Sequence, residues 1–313
     1  MTIPADRHGV RNNPPLILSY KGLSPDSELR EWVAAGFVGG IVIFKDNAAR
    51  ESDLALAIRD LRAAAPGPFR VMIDEEGGRV RRLPDSDVSM RDLRFYHDEG
   101  PQALAAAYGK VAARVLELGI DTLLAPVVDL GSGEAGWLHS RTYSDGPQDV
   151  AKMARAVIGA VQSRGIACCG KHFPGSRGVT SDPHGNPVLD LTLPSAWEST
   201  DAEPFRAAIA AGVAMIMVGH QRLVGFDATR PACLSPLIVN ILLRQRLGFA
   251  GLVLTDDLAM GAIANIYPIE RAVTAALEAG CDLVLVCNDR ALQRRAVAGW
   301  REWSEKTTVR LDA

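Results

Sequence analysis

The strongest constraint on this chain is a succession of eight short apolar runs: Leu16–Ser19, Gly40–Phe44, Arg70–Ile73, Thr122–Val128, Ile166–Gly170, Ala214–Val218, Gly251–Leu254 and Leu283–Val286. They are rich in Val, Ile and Leu and lack polar alternation, as strands covered on both faces do. Helical patterns lie between them. Leu54, Ile58 and Leu61 recur at i, i+4 and i+7, with Arg and Asp on the opposite face. Further helices are expected to start near Ser27, Pro101, Pro147, Asp201, Pro236, Pro268 and Arg290, several of them at a first-turn proline. Gly36, Gly119, Gly165, Gly212 and Gly280 stand where helices should stop.

A strand followed by a helix, eight times, predicts a single-domain (β/α)8 TIM-type barrel over residues 1–313. Length alone would allow two domains, but no Ser/Gly linker, charge block or low-complexity tract divides the chain. A doubly wound nucleotide-binding sheet would want GxGxxG or a Walker lysine; the first run is followed instead by Tyr20-Lys21-Gly22. At 48% hydrophobic and 23% charged the composition is globular, and a net charge of −3 offers no basic field for nucleic acid. The opening MTIPADRHGVRNNPP is polar and no run reaches ~18 apolar residues. The expectation is a cytoplasmic protein without a signal or membrane partner. The five cysteines, an odd number without CxxC, read as reduced core residues. Trp300 and Trp303, in the last helix, suit either core anchors or an interface.

In such a barrel the residues just past each strand face the active site. They are Asp74-Glu75-Glu76-Gly77-Gly78-Arg79, then Asp129 and Arg141, Lys171-His172, Asp182-Pro183-His184, His220, Asp256-Asp257 and Asn288-Asp289-Arg290. No GxSxG or HExxH appears among them. By position alone Asp256 suits a rigidly held nucleophile or a helix cap equally well. Asp182 can orient the His184 imidazole, or the two can form a surface turn. Lys171-His172 suits a clamp for the hydroxyls of a neutral, polyhydroxylated substrate; a metal would need Asp74, His172, His184 and His220 to converge, and the nearby cations argue against it.

The motifs IDEEGGRVRR (Ile73–Arg82), LAPVVDL (Leu124–Leu130), KHFPG (Lys171–Gly175), SDPH (Ser181–His184), TDDLAMGA (Thr255–Ala262) and AGCDLVLVCN (Ala279–Asn288) occur together and in order. In this the chain resembles the glycoside hydrolase family 3 β-N-acetylhexosaminidases of the single-domain NagZ type, from about Leu16 to Asn288. The resemblance implies a retaining exo-β-N-acetylglucosaminidase acting on cell-wall-derived sugars or muropeptides, without cofactor or metal. It implies Asp256 as nucleophile, His184 as general acid/base with Asp182 as its orienting partner, and Asp74, Arg82, Arg141, Lys171 and His172 as sugar contacts. Multi-domain relatives take a glutamate acid from an added domain, for which the eight strand–helix pairs leave no room. The chain departs from the family pattern at Glu75, usually glutamine, at Ser176-Arg177-Gly178 after KHFPG, and at Pro183, commonly serine. Phosphorolysis of N-acetylglucosaminides, or a sugar-binding barrel with impaired catalysis, are the alternatives. The natural leaving group and the oligomeric state stay open.

Overall fold

The computed structural model describes residues 14–84, 90–133, 138–179, 182 and 185–311, with 307–311 described by backbone alone. Its strands are β1 (Leu16–Leu18), β2 (Gly40–Ile43), β3 (Arg70–Ile73), β4 (Thr122–Leu123), β5 (Ala167–Phe173), β6 (Leu189–Asp190), β7 (Met215–Val218), β8 (Arg222–Leu223), β9 (Leu252–Thr255) and β10 (Val284–Leu285). Eight of them form one parallel sheet in the order β10-β1-β2-β3-β4-β5-β7-β9. A parallel bridge between Leu254 and Leu283 joins its two ends, and the Thr255 N–H donates to the Leu283 carbonyl at 3.0 Å. The sheet is the barrel that the apolar runs predict.

Helices cover its outside: α1 (Ser27–Ala34), α2 (Glu51–Ala64), α3 (Phe95–Glu99), α4 (Pro101–Glu117), α5 (Pro147–Gln162), α6 (Pro194–Ser199), α7 (Ala202–Ala210), a π-helical stretch (Leu237–Arg246), α8 (Gly261–Ala264), α9 (Ile269–Ala279) and α10 (Arg290–Leu311). Pro101 and Pro147 open α4 and α5, where their missing N–H has no helical partner to lose. The five glycines expected at helix ends all adopt positive φ.

Alternation along the strands sorts the apolar residues into two layers. Leu16 and Leu18 pack outward among the helices, whereas Ile17 points inward with Val42, Met72, Leu124, Met215 and Leu254. All five cysteines are free and buried; Cys169 and Cys287 belong to the inner layer. Trp300 packs against the outer layer, edge-on to Phe37 at 6.5 Å between ring centres.

Two strand boundaries differ from the sequence expectation. The run Thr122–Val128 makes a regular ladder only at Thr122–Leu123, because Pro126 has no N–H to donate. It still accepts from β5, with Cys169 N–H on Ala125 O at 3.0 Å and Lys171 N–H on Pro126 O at 3.1 Å. The fifth strand does not stop at Gly170 but runs through Lys171, His172 and Phe173. Lys171 and His172 therefore lie inside the strand rather than in the loop after it. The small parallel pair β6–β8 was not signalled by any apolar run.

Replacing Ile17, fully buried at the centre of the barrel, by Ala removes a side chain that no neighbour can replace. The expected cost is about 2–5 kcal/mol, seen as a lower urea midpoint at unchanged slope.

Candidate active site

The site lies at the C-terminal end of the barrel, in a cleft of about 360 Å³. Val42, Leu124, Met217, Leu285 and Cys287 contribute its apolar floor, and Phe44 and Met260 its walls. Asp74, Glu76, Arg82, Arg141, Lys171, His172, Asp182 and Asp256 all line it. The structure thus brings together every site residue expected from the sequence except His184, which lies, with Pro183, outside the described residues. On either side of that position, Asp182 lines the cleft and the Gly185 carbonyl accepts from the Asn265 side chain at 3.0 Å.

The β3 loop holds its acidic residues in divergent roles. Gly77 and Gly78 both have positive φ, and a Cβ on Gly78 would sit 2.1 Å from Asp92 Oδ1, so the turn requires glycine there. Glu75 turns inward: its Oε2 accepts the backbone N–H groups of Arg82 at 2.7 Å and Leu83 at 3.1 Å. Burial pushes the Glu75 carboxyl up, and those two N–H bonds and nearby Arg81 and Arg82 oppose the rise. Glu75 is thus used to close the loop, through an oxygen that a glutamine would also offer.

Glu76 is the hub. Its Oε1 lies 2.6 Å from Lys171 Nζ and 2.8 Å from Arg141 Nη2, while Oε2 accepts from Arg141 Nε at 2.9 Å. Lys171 Nζ also donates to Asp74 Oδ1 at 2.6 Å, and Asp74 Oδ2 lies 3.5 Å from Arg82 Nη2. A continuous chain of charge results, Arg141–Glu76–Lys171–Asp74–Arg82. Glu76 is completely buried and Lys171 almost so. Burial alone would raise the Glu76 carboxyl, but Arg141 and Lys171 hold it far below the usual carboxylate range. The Lys171 ammonium is likewise disfavoured by burial and restored, above its ordinary value, by Asp74 and Glu76. Tyr108, reaching in from α4, donates to the Glu76 carbonyl at 2.9 Å and steadies the hub's main chain.

Asp129 does the same for His172. It is completely buried, and its Oδ2 accepts both the His172 backbone N–H at 3.0 Å and Nδ1 at 2.7 Å. Nδ1 therefore carries the proton, which leaves Nε2 as the ring nitrogen available to a ligand. The residues that could be imagined around a metal have other engagements. His172 is tied to Asp129, Asp74 to Lys171, and His220 to Cys233 Sγ at 3.3 Å and the Asp257 carbonyl at 2.9 Å. No group of three or more metal-ligating side chains is found among the described residues.

The two aspartates after β9 separate cleanly. Asp257 is the cap: its Oδ1 accepts the N–H groups of Ala259 and Cys287, each at 2.9 Å. Among the described residues Asp256 Oδ1 accepts only the N–H of Asp257, at 2.8 Å, and its half-buried carboxylate lines the cleft. Burial would raise it, but His220, His172, that N–H and Lys171 outweigh burial and hold it below the usual range. The arrangement presents one ionised carboxylate, without a direct ion pair among the described residues, opposite several fixed hydrogen-bond donors.

Sequence reasoning placed Glu76 and Asp129 at the barrel mouth but did not choose them. Their signal was available: Lys171 and His172 fall next to strand residues, and a buried cation or donor requires a partner. Removing that partner should be costly. Glu76→Gln is expected to destabilise the fold by about 3–5 kcal/mol, read by denaturant unfolding, because Lys171 and Arg141 stay buried with too little negative charge.

Residues 16–308 match the model of the glycosyl hydrolase family 3 N-terminal domain. A β-hexosaminidase of Xanthomonas oryzae is 35% identical over 295 residues, covering 91% of this chain and 88% of the relative. A β-hexosaminidase of Xylella fastidiosa is 34% identical over the same shares of each chain. Among solved structures, NagZ of Neisseria gonorrhoeae in complex with N-trifluoroacetyl-D-glucosamine superposes with a TM-score of 0.83 at 28% identity, over 92% of this chain and 85% of that one. A family 3 β-N-acetylglucosaminidase of Paenibacillus gives a TM-score of 0.89 at 28% identity; the match covers 93% of this chain and only 57% of that longer one. Fold, ordered motifs and these matches agree: the chain belongs to glycosyl hydrolase family 3.

Proposed function

We propose that the protein is a retaining exo-β-N-acetylglucosaminidase that releases terminal N-acetylglucosamine from cell-wall-derived sugars or muropeptides. The observation that carries the reading is the Asp256 carboxylate, without an ion pair among the described residues, in one cleft with the Arg141–Glu76–Lys171–Asp74–Arg82 chain. The β-hexosaminidase relatives and the N-acylglucosamine bound to the Neisseria enzyme support the choice of sugar.

In this reading Asp74, Lys171, Arg141, Arg82 and His172 bind the sugar hydroxyls. The ion-pair chain, and Asp129 for His172, leave these side chains preoriented, so little ordering is left for the moment of binding. Asp256 attacks the anomeric carbon while His184, oriented by Asp182, delivers a proton to the departing oxygen. A bond forms from Oδ of Asp256 to C1, the C1–O bond to the leaving group breaks, and that oxygen keeps the His184 proton. Water, deprotonated by His184, then attacks C1 and returns Asp256 as carboxylate, with the β configuration retained.

Release of nitrophenol should be much faster from the N-acetyl-β-glucosaminide than from the β-glucoside; equal rates would remove the N-acetyl specificity. Asp256→Ala should lower kcat at least ~10³-fold, and wild-type-like turnover would reject the nucleophile. Sugar 1-phosphate formed at a rate that depends on phosphate would indicate the phosphorylase instead.

The pH profile follows from the sign of the Asp256 shift. A carboxyl held below its usual ~3.9 stays ionised as pH falls, so the acid limb of kcat/KM should lie below about pH 4. The alkaline limb should report loss of the proton that His184 delivers. His184→Gln should abolish that limb while slowing substrates with poor leaving groups most. An alkaline limb that survives the substitution would assign the acid elsewhere.

A further inference from the structure

Asp256 is held from the neighbouring strand. β7 ends at Val218, whose carbonyl accepts the Asp256 N–H at 2.9 Å. Two residues further on, His220 Nε2 lies 2.9 Å from the Asp257 carbonyl, which also accepts the Met260 N–H at 3.0 Å. The Asp257 N–H in turn donates to Asp256 Oδ1 at 2.8 Å. Asp257 thus links the Asp256 carboxylate, through its N–H, to the His220 ring, through its carbonyl. The ring is buried, so packing as well as this bond sets its place.

Its partners decide the tautomer. A carbonyl oxygen can only accept, so Nε2 carries the proton and Nδ1 keeps its lone pair. Nδ1 faces Cys233 Sγ at 3.3 Å. Cys233 is completely buried, and burial pushes its thiol well above the usual range, so it keeps an S–H for Nδ1 to accept. Its main chain is tied to the same end of β7. The Cys233 N–H donates to the Gly219 carbonyl at 3.1 Å, and the Ala232 N–H to the Gln221 carbonyl at 2.9 Å. The Gly219 N–H donates to the Phe173 carbonyl at 2.8 Å, which joins this corner to the strand bearing Lys171 and His172.

The turn after β9 has other supports. Asp257 Oδ1 accepts from Ala259 and Cys287, and the Asp257 carbonyl already has the Met260 N–H. What the His220 bond adds is a fixed direction for the peptide beside the Asp256 carboxylate. Of the groups that outweigh burial and keep Asp256 ionised, His220 also ranks first, ahead of His172 and Lys171.

We propose that His220 is a positioning residue for the reaction, locked in its Nε2–H tautomer by the Cys233 thiol, and that it fixes the direction in which the Asp256 carboxylate meets the anomeric carbon. The inference rests on the reading of Asp256 as nucleophile and adds two residues to it.

Two kinds of measurement test it. In wild-type protein at neutral pH, nitrogen-15 spectra of labelled histidine should show His220, identified by its loss in His220→Gln, with its proton on Nε2; a proton on Nδ1 overturns the proposal. With the nitrophenyl N-acetylglucosaminide, His220→Leu should lower kcat roughly 10²-fold, the scale of a small misplacement of a reacting group. KM should stay within about twofold, because the sugar contacts lie elsewhere. The acid limb should move to higher pH, since Asp256 loses its first counterweight to burial. His220→Gln, which keeps an N–H for the Asp257 carbonyl, should recover most of kcat. Cys233→Ala should lower kcat roughly fivefold, the scale of one neutral hydrogen bond, and Cys233→Ser should restore it. Unchanged kcat in both His220→Leu and Cys233→Ala, or a KM that rises as far as kcat falls, overturns the proposal. Should His220→Leu fail to fold, the spectra and the Cys233 pair decide. Wild-type-like turnover in Asp256→Ala overturns the nucleophile reading and this inference with it; an inactive Asp256→Ala beside an unaffected His220→Leu overturns the inference alone.

Discussion

The buried contact between Glu76 and its two cations is the constraint around which the catalytic end of the barrel is arranged. A lysine inside a strand is costly unless its charge is met at close range. Glu76 meets it from β3, Asp74 meets it again, and Arg141 is drawn in from the far side of the β4 connection. Three segments distant in sequence are thereby fixed to one another by charge rather than by apolar packing. Such a network is weak evidence for stability. Its value is geometric, since it leaves the polar ends of several side chains aimed into one cleft before any ligand arrives.

The same economy appears one strand face away. Asp129 engages the main chain and the ring of His172 through a single oxygen, so ring orientation follows backbone position. Asp257 stabilises the turn after β9 and thereby frees Asp256 from that task. In each case a structural carboxylate absorbs the local hydrogen-bonding demand, and its neighbour is left to face the ligand.

Much of this was legible in the chain. The eight apolar runs became the eight barrel strands because periodicity reports burial directly, and burial on both faces is what a parallel barrel imposes. Asp74, Arg82, Arg141, Lys171, His172, Asp182 and Asp256 were placed at the cleft because strand ends converge in this fold. What could not be read was pairing. Nothing in Lys171-His172 taken alone says that the strand continues through them; that depends on Glu76 and Asp129, 95 and 43 positions away. Glu75 and Glu76 are adjacent and chemically alike, yet one closes a loop through two N–H groups and the other anchors two cations. The division arises from the different partners the two side chains meet, which composition does not record. His184, assigned by resemblance, lies outside the described residues, so its role rests on the motif and on Asp182 beside it.

The Asp256-Asp257 pair has a consequence for how this site tolerates change. The two carboxylates belong to adjacent residues that both line the cleft, but their oxygens hold different hydrogen bonds. Loss of one carboxylate is therefore not made good by the other, despite identical chemistry at nearly the same place. A single-residue slip at the end of β9 would exchange the directions of the two side chains. Chemical redundancy in sequence is here not redundancy in space, and the barrel's register, more than either side chain, decides which aspartate a sugar meets.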